Sequence, residues 1–263
     1  MKSVILAAGK GTRLKHYTEK MPKGMLRVNN KTIIEYQIEA LHDSGIADVV
    51  IVTGYMAEKI RFPGVRYYIN REYEDTNMVE SLMSARKEFD DDLLVSYSDI
   101  LYDKSVLDEL IDYPGDFVVI VDVDWKRYWM LRYGRINHDT ESLSLSDDRR
   151  ITELGSQDPP ADEIDARYVG LLKFSRQGLE TVERIYDEMR ESHWNLPWQK
   201  SGNVFRKAYM TDLLQEIIDR GYDVNAMLIR NRWIELDTVE DYDKARAWFN
   251  DGTLKDRLHL DLG

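Results

Sequence analysis

Along the first 122 residues, short β-branched runs alternate with stretches whose apolar side chains recur every three or four positions. A short apolar run or a period of two suits a strand, and a period of 3.6 suits a helix with one buried face. The runs at 4–7, 48–53, 65–69, 93–97 and 117–122 predict strands; 32–43, stopped by Gly45, and 77–88 predict helices. Asn77 and Glu80 stand at the spacing of a capping box, a polar N-cap with a carboxylate three residues on. Alternation of this kind builds a mostly parallel sheet, because parallel neighbours need a crossover between them. The strands are apolar almost throughout, so both sheet faces are covered and ligand groups gather at the carboxyl ends. That edge comprises residues 8–14, Gly54 and Tyr55, the turn ahead of Asn77, and Ser98 with Asp99.

Residues 123–165 break the pattern with clustered aromatics, then Asp147-Asp148-Arg149-Arg150, then Pro159-Pro160, and predict an insertion or lid. Alternation returns with a strand at 166–174, a helix at 177–191, a loop at 193–203, a helix at 207–220, strands near 224–229 and 233–236, and a last helix from Val239. No internal repeat is present. The fold class is α/β: one doubly wound, Rossmann-like domain over 1–263, with a core at 1–122, an insertion at 123–165 and a remainder at 166–263.

Charge sharpens this picture. The 263 residues include 36 Lys and Arg against 48 Asp and Glu, a net charge of −12 that opposes binding to nucleic acid or to an anionic membrane. Yet residues 1–31 hold eight cations (Lys2, Lys10, Arg13, Lys15, Lys20, Lys23, Arg27 and Lys31) and one acid, Glu19. A basic patch beside a glycine turn suits a compact polyanion such as a triphosphate; a solvated basic surface is the plain alternative. The lack of cysteine excludes a disulfide framework, a zinc knuckle or a thiol nucleophile and suits a reducing compartment. No uninterrupted run of about 18 apolar residues offers a membrane span, and the first apolar run is too short for a signal peptide. The expected location is the cytoplasm; a homodimer is left open.

The chemistry concentrates in Leu6-Ala7-Ala8-Gly9-Lys10-Gly11-Thr12-Arg13-Leu14 and Met21-Pro22-Lys23-Gly24-Met25-Leu26. Small residues let backbone N–H groups approach a phosphate chain while Lys10, Arg13 and Lys23 supply charge. A P-loop is absent, and a dinucleotide fingerprint would need glycine where Leu14 stands. A bare Gly-x-Gly is also simply a strand-to-helix turn. Two acids, Asp99 and Asp237, fall at strand ends, where they serve either as turn residues or as oxygen ligands for Mg²⁺. Trp125, Tyr128, Trp129 and Tyr133, with Trp194 and Trp198, offer either a cage for a quaternary ammonium or, at helical spacing, a packed stripe. Arg132 could hold a phosphate or phosphonate with its planar fork. The five histidines lack metal-ligand spacing, and no Gly-x-Ser-x-Gly elbow exists, so a hydrolase triad is not supported.

The segment Leu6 to Leu14, with Pro22-Lys23, resembles the signature of nucleotidyltransferases that activate small phosphorylated substrates, including sugar-1-phosphate and phosphocholine enzymes. The likeness extends to Val52-Thr53-Gly54-Tyr55, Thr76-Asn77-Met78, Tyr97-Ser98-Asp99-Ile100, Tyr209-Met210-Thr211-Asp212 and Trp233 to Thr238, nearly the whole chain. It is most similar to the cytidylyltransferase branch, whose members handle phosphocholine, phosphonates or phosphorylated amides; the glycine-rich segment that sugar-specific members carry near position 76 is missing. The resemblance implies that Leu6, Ala7, Ala8, Gly9, Lys10, Gly11, Thr12 and Arg13 cradle the triphosphate of CTP. It also implies a base and ribose pocket at Gly54, Tyr55, Thr76 and Asn77. Arg13 and Lys23 would be catalytic, Asp99 and Asp237 would hold Mg²⁺, with Asp212 competing for the second ligand position, and Trp129, Arg132, Tyr168 and Asp212 would touch the acceptor. The expected reaction is Mg²⁺-dependent CMP transfer from CTP to a small phosphate or phosphonate. Alternatives are a UTP- or dTTP-dependent sugar-1-phosphate enzyme and a non-catalytic nucleotide-binding subunit.

Overall fold

The computed structural model describes residues 1–262. Its central sheet is built from β1 (Lys2–Ala7), β2 (Val49–Thr53), β3 (Arg66–Ile69), β4 (Leu93–Tyr97), β5 (Phe117–Asp122), β6 (Arg167–Phe174) and β7 (Asn225–Ile229). The spatial order is β7-β5-β6-β4-β1-β2-β3. All pairings are parallel except those of β6, which runs antiparallel to both β4 and β5. The α/β class with a mostly parallel sheet is therefore the observed one.

Helices cover both faces: α1 (Ile33–Asp43), α2 (Met78–Ser84), α3 (Lys104–Asp112), α4 (Trp125–Tyr133), α5 (Arg176–His193), α6 (Met210–Asp219) and α7 (Val239–Asn250). Because successive strand residues point to opposite faces, Ile5 and Ala7 of β1 join a core with α1, α3, α4 and α7, while Val4 and Leu6 join a second core with α2, α5 and α6. Thr32 caps α1 in a reciprocal capping box with Glu35, and Thr238 caps α7 in the same way with Asp241.

The helix expected at 77–88 ends at Ser84 and is followed by a single 3₁₀ turn, Arg86–Glu88. Asn77 does cap it, accepting from Met78 N at 3.0 Å, but the Glu80 carboxylate is drawn to the Tyr186 hydroxyl instead of closing a capping box. Within 123–165 lie α4 and an antiparallel ribbon, Glu141–Leu145 with Ile151–Gln157. Far from forming a loose lid, α4 is part of the core: Trp125, Tyr128 and Trp129 are fully buried and stack edge to face. The ribbon leans on α6, where Leu154 N donates to Gln215 Oε1 at 2.9 Å. No helix among the described residues is long and apolar enough to cross a membrane.

Candidate active site

β1 delivers the loop at residues 8–11 to the carboxyl edge of the sheet. Ser98 N donates to Leu6 O at 3.2 Å and Tyr55 N to Ala8 O at 3.0 Å, so the loop is seated between the ends of β4 and β2. Gly11 sits at φ 63°, and a Cβ there would come within 3.1 Å of Lys23 Cβ. Glycine is thus needed both for the left-handed backbone and to let the Lys23 stem pass. Among the described residues the N–H groups of Gly9 to Arg13 donate to no protein acceptor, which leaves backbone donors unspent in a loop whose Gly9, Gly11, Thr12 and Arg13 line the cavities described below.

Asp99 and Asp237 are 138 positions apart, yet one ribbon joins them. Residues Ile100–Tyr102 pair antiparallel with Trp233–Glu235, Ile100 opposite Glu235, and Leu236 N donates to Asp99 O at 2.8 Å. Gln37 of α1 braces the turn, its Nε2 donating at 2.7 Å to both Tyr97 O and Ile100 O. Lys23, on a 3₁₀ turn after Pro22, reaches in from the other side. Its Nζ lies 2.6 Å from Asp99 Oδ2 and 2.5 Å from Asp237 Oδ1. Arg13 Nη2 stands 2.6 Å from Asp237 Oδ2 and Arg13 Nη1 3.8 Å from Asp139 Oδ1.

Electrostatics here is a contest between burial and partners. Burial works to lower the Lys23 pKa, but Asp99, Asp237 and Glu235 outweigh it and hold the ammonium firmly charged. Glu235 is held down to about 2: burial opposes ionisation, and Arg132, Lys23 and Arg167 overcome it. Asp237 goes the other way, pushed up by burial and by the neighbouring Glu235 and Asp99 charges despite Lys23 and Arg13. Asp99, Glu235 and Asp237 present carboxylate oxygens within 4.8 Å of one another. Asp99 Oδ1 is buried without a hydrogen-bond partner, and Asp237 Oδ2 has only the Arg13 ion pair, poorly aligned for a hydrogen bond. Hard oxygens in a trio with spare acceptor capacity fit a divalent cation such as Mg²⁺.

Two cavities meet at this cluster. One, about 210 Å³, is lined by Ala8, Gly9, Gly11, Lys23, Thr76, Asn77, Ser81, Ser98, Asp99 and Asp237 among others. The other, about 450 Å³, is lined by Thr12, Asp139, Glu141, Gln157, Arg167, Tyr168, Tyr209, Thr211 and Glu235 among others. Arg13, Met78 and Tyr97 line both.

The expected residues divide accordingly. Leu6, Ala8, Gly9, Gly11, Lys23, Thr76, Asn77, Asp99 and Asp237 surround the smaller cavity, Thr12 and Tyr168 the larger, and Arg13 both. Ala7 is buried in β1, and Lys10 is exposed beside the Tyr55 ring, 5.7 Å from its centroid. Gly54 and Tyr55 brace the loop from outside the lining. Thr76 is buried, donating to Glu72 O at 2.8 Å and accepting from Asn70 Nδ2 at 3.0 Å.

Three expected acceptor contacts face elsewhere. Arg132 is buried with its fork on Asp241, at 2.7 and 2.6 Å, and its third nitrogen on Glu235 at 2.5 Å. Buried with this bidentate match, Arg132 lines neither cavity and is spent on its own acids. Trp129 is wholly buried and donates from Nε1 to His138 O at 2.7 Å. With Trp125 also buried, the α4 aromatics are a packed stripe and not a cage; Trp198 packs on Phe205 instead. Asp212 is buried at the start of α6, accepting from Ser201 Oγ at 2.8 Å and Tyr209 N at 2.9 Å, a cap for otherwise unsatisfied helix amides. It stands outside the acidic trio, whose third member is Glu235. Sequence reasoning passed over Glu235, although Glu235 and Asp237, two apart at a strand end, share a side. It also passed over Arg167 and Glu141, for which periodicity holds no signal.

A model of the MobA-like NTP transferase domain matches residues 3–161. With this fold and this cluster at the carboxyl edge, the chain belongs to that family of nucleotidyltransferases and is cytidylyltransferase-like within it. It is 34% identical to CTP:phosphoglutamine cytidylyltransferase of Campylobacter jejuni over 92% of this chain and 97% of that one. Choline-phosphate cytidylyltransferase of Streptococcus pneumoniae is 36% identical over 51% of this chain and 59% of its own length. The solved structure of CTP:phosphocholine cytidylyltransferase from Streptococcus pneumoniae superposes with a TM-score of 0.69 at 26% identity, covering 94% of this chain and 97% of that one.

Proposed function

We propose that the protein transfers CMP from CTP to a phosphate or phosphonate oxygen of a small acceptor. The acceptor oxygen attacks the α-phosphorus, the bond from that phosphorus to the oxygen bridging to the β-phosphorus breaks, and pyrophosphate departs with the electron pair. The observation that carries this reading is the junction of two cavities at Lys23, Arg13 and the acidic trio. The smaller cavity, floored by the glycine loop, takes the nucleotide; the larger takes the acceptor. The attacking group is already anionic, so no general base is required, and the work is to align two anions and offset their charge.

Lys23 and Arg13 supply mobile cations where the phosphates meet, and the free amides of Gly9 to Arg13 hold the triphosphate. Thr76 and Asn77 contact base and ribose, and Tyr168 faces the acceptor. Asp99 and Asp237, with Glu235 beside them, would hold Mg²⁺, which when bound supplies Lewis acidity at the phosphate oxygens. The test is pyrophosphate release with each of CTP, UTP, ATP, GTP and dTTP against a panel of small phosphates in Mg²⁺. Release that needs both CTP and an acceptor supports the reading; release with UTP or dTTP and a hexose-1-phosphate overturns it. Soluble partners of this kind leave nucleic acid and membrane without a role, and the cytoplasm is the matching site of action.

A further inference from the structure

Arg13, Met78 and Tyr97 line both cavities and so form the wall across which the reacting groups meet. Arg13 brings charge and Met78 a thioether; Tyr97 brings a neutral hydroxyl donor. It is the last residue of β4, at the carboxyl edge of the sheet, and packs against both cores. Gln37 Nε2 holds its carbonyl at 2.7 Å, and its ring lies against Gly170, where a Cβ would come within 2.7 Å. The Tyr168 ring meets it edge to face, with centroids 5.9 Å apart, and Tyr168 Oη donates to Tyr97 Oη at 3.3 Å. The charges of Glu141, lining the larger cavity, and of Asp99, lining the smaller, both reach the Tyr97 hydroxyl, which places it between the chambers.

Backbone, ring and hydroxyl oxygen are therefore all held from the protein side, yet among the described residues no acceptor takes the Tyr97 hydroxyl proton. A fixed donor at the meeting point of two anions suits an oxygen of the phosphoryl that passes between them. Resting on the CMP-transfer reading above, we propose that the Tyr97 hydroxyl donates to a non-bridging oxygen of the α-phosphate, and that Tyr168 is a positioning residue that sets the direction of this donation. The hydroxyl keeps its proton: it offsets negative charge on the transferring phosphoryl and takes no part in bond making. Because it carries no charge, it adds to Lys23 and Arg13 without competing with a divalent cation for Asp99 and Asp237.

Tyr97→Phe removes the hydroxyl and keeps the ring against Gly170. With CTP, Mg²⁺ and an acceptor that the native enzyme uses, kcat should fall by about 30-fold, the scale of a hydrogen bond to a charged group, with KM for CTP within about threefold of native. Sulfur at either non-bridging α-oxygen, in the two diastereomers of CTPαS, separates contact from packing. The rate penalty of one diastereomer relative to CTP should shrink in Tyr97→Phe, because the donor that sulfur would weaken is already gone. Tyr168→Phe should cost about threefold in the native chain and nothing further in kcat in the Tyr97→Phe background. If Tyr97→Phe does not fold, Tyr168→Phe carries the same test, its loss of kcat coming with a smaller penalty for one diastereomer. An unchanged kcat in Tyr97→Phe overturns the inference alone, as do thio penalties equal to native for both diastereomers in every folded variant. No transfer by the native enzyme to any acceptor, with CTP binding intact by calorimetry, overturns the CMP-transfer reading and this inference with it.

Discussion

Lys23 is a buried ammonium between two carboxylates, at 2.6 and 2.5 Å. Removing it takes away a cation lining the smaller cavity and also sets Asp99 and Asp237 against each other in low dielectric. Lys23→Ala should lower turnover by about two orders of magnitude, the scale of losing one transition-state donor. It should also lower the melting temperature of the metal-free protein, and Mg²⁺ should restore the melting temperature without restoring turnover. Calorimetric melts and initial rates, each with and without Mg²⁺, check both halves. Chelation of the native enzyme should abolish turnover and leave the circular dichroism spectrum unchanged, with activity returning on Mg²⁺ addition. Asp99→Asn should shift half-maximal activation to higher Mg²⁺.

Two elements invite separate tests. The sheet edge is tied by Glu88, whose carboxylate accepts from Lys2 at 2.9 Å, Arg66 Nη2 at 2.7 Å and Tyr68 Oη at 2.7 Å, joining β1 and β3 to the turn after α2. Burial opposes its ionisation, but Arg66, Lys2 and Tyr68 pull it from the ordinary 4.5 to about 2. A depressed acid stabilises above its unfolded value, so this contribution is complete at neutral pH and fades as pH falls from about 4.5 through about 2. Glu88→Gln should lower neutral stability and flatten that acid limb in denaturant titrations. At β6, Gly170 has φ 88°, and a Cβ there would lie 2.7 Å from the Tyr97 ring. The pairing of β6 with β5 shifts register between Tyr168 and Leu172, just beyond Arg167 and Tyr168, which both line the larger cavity. Gly170→Ala should cost about 1–3 kcal/mol of stability, read from urea midpoints. Arg167 was illegible from sequence because nothing local marks the first residue of a strand as lining a cavity, while the strand itself was legible from its apolar run. Strands at 93–97 and 117–122 were readable to the residue because both their faces are apolar. The α4 segment was not, because its charged Lys126, Arg127 and Arg132 blur the apolar stripe, and Arg132 is buried by Asp241 and Glu235, residues distant in the chain.

At the scale of the whole molecule, eight of the first 31 residues are cations in a chain of net charge −12. Lys2 is taken up by Glu88 and Asp90 at the start of β1 and Lys31 by Glu39. The cations at the cavities to draw a compact anion are Arg13 and Lys23, with Lys10 exposed nearby, while the acidic remainder repels a long one. The KM for CTP should rise with added KCl, and a single-stranded oligonucleotide at equal phosphate concentration should not inhibit; inhibition would contradict the charge argument. The glycine loop, Lys23 and the strand-end acids were legible because local motif and topology coincide there. The larger cavity was less so, since it is assembled from β6, a ribbon and the start of α6, none of which carries a local mark. Arg13 stands in the wall common to both chambers and is held across it by Asp237 and Asp139. A triphosphate arriving on one side must draw that guanidinium off its acids, and doing so reshapes the neighbouring room before its occupant arrives. Catalysis should accordingly follow a compulsory sequence, nucleotide first, with an inert CTP analogue competitive against CTP and an unreactive acceptor analogue uncompetitive against it.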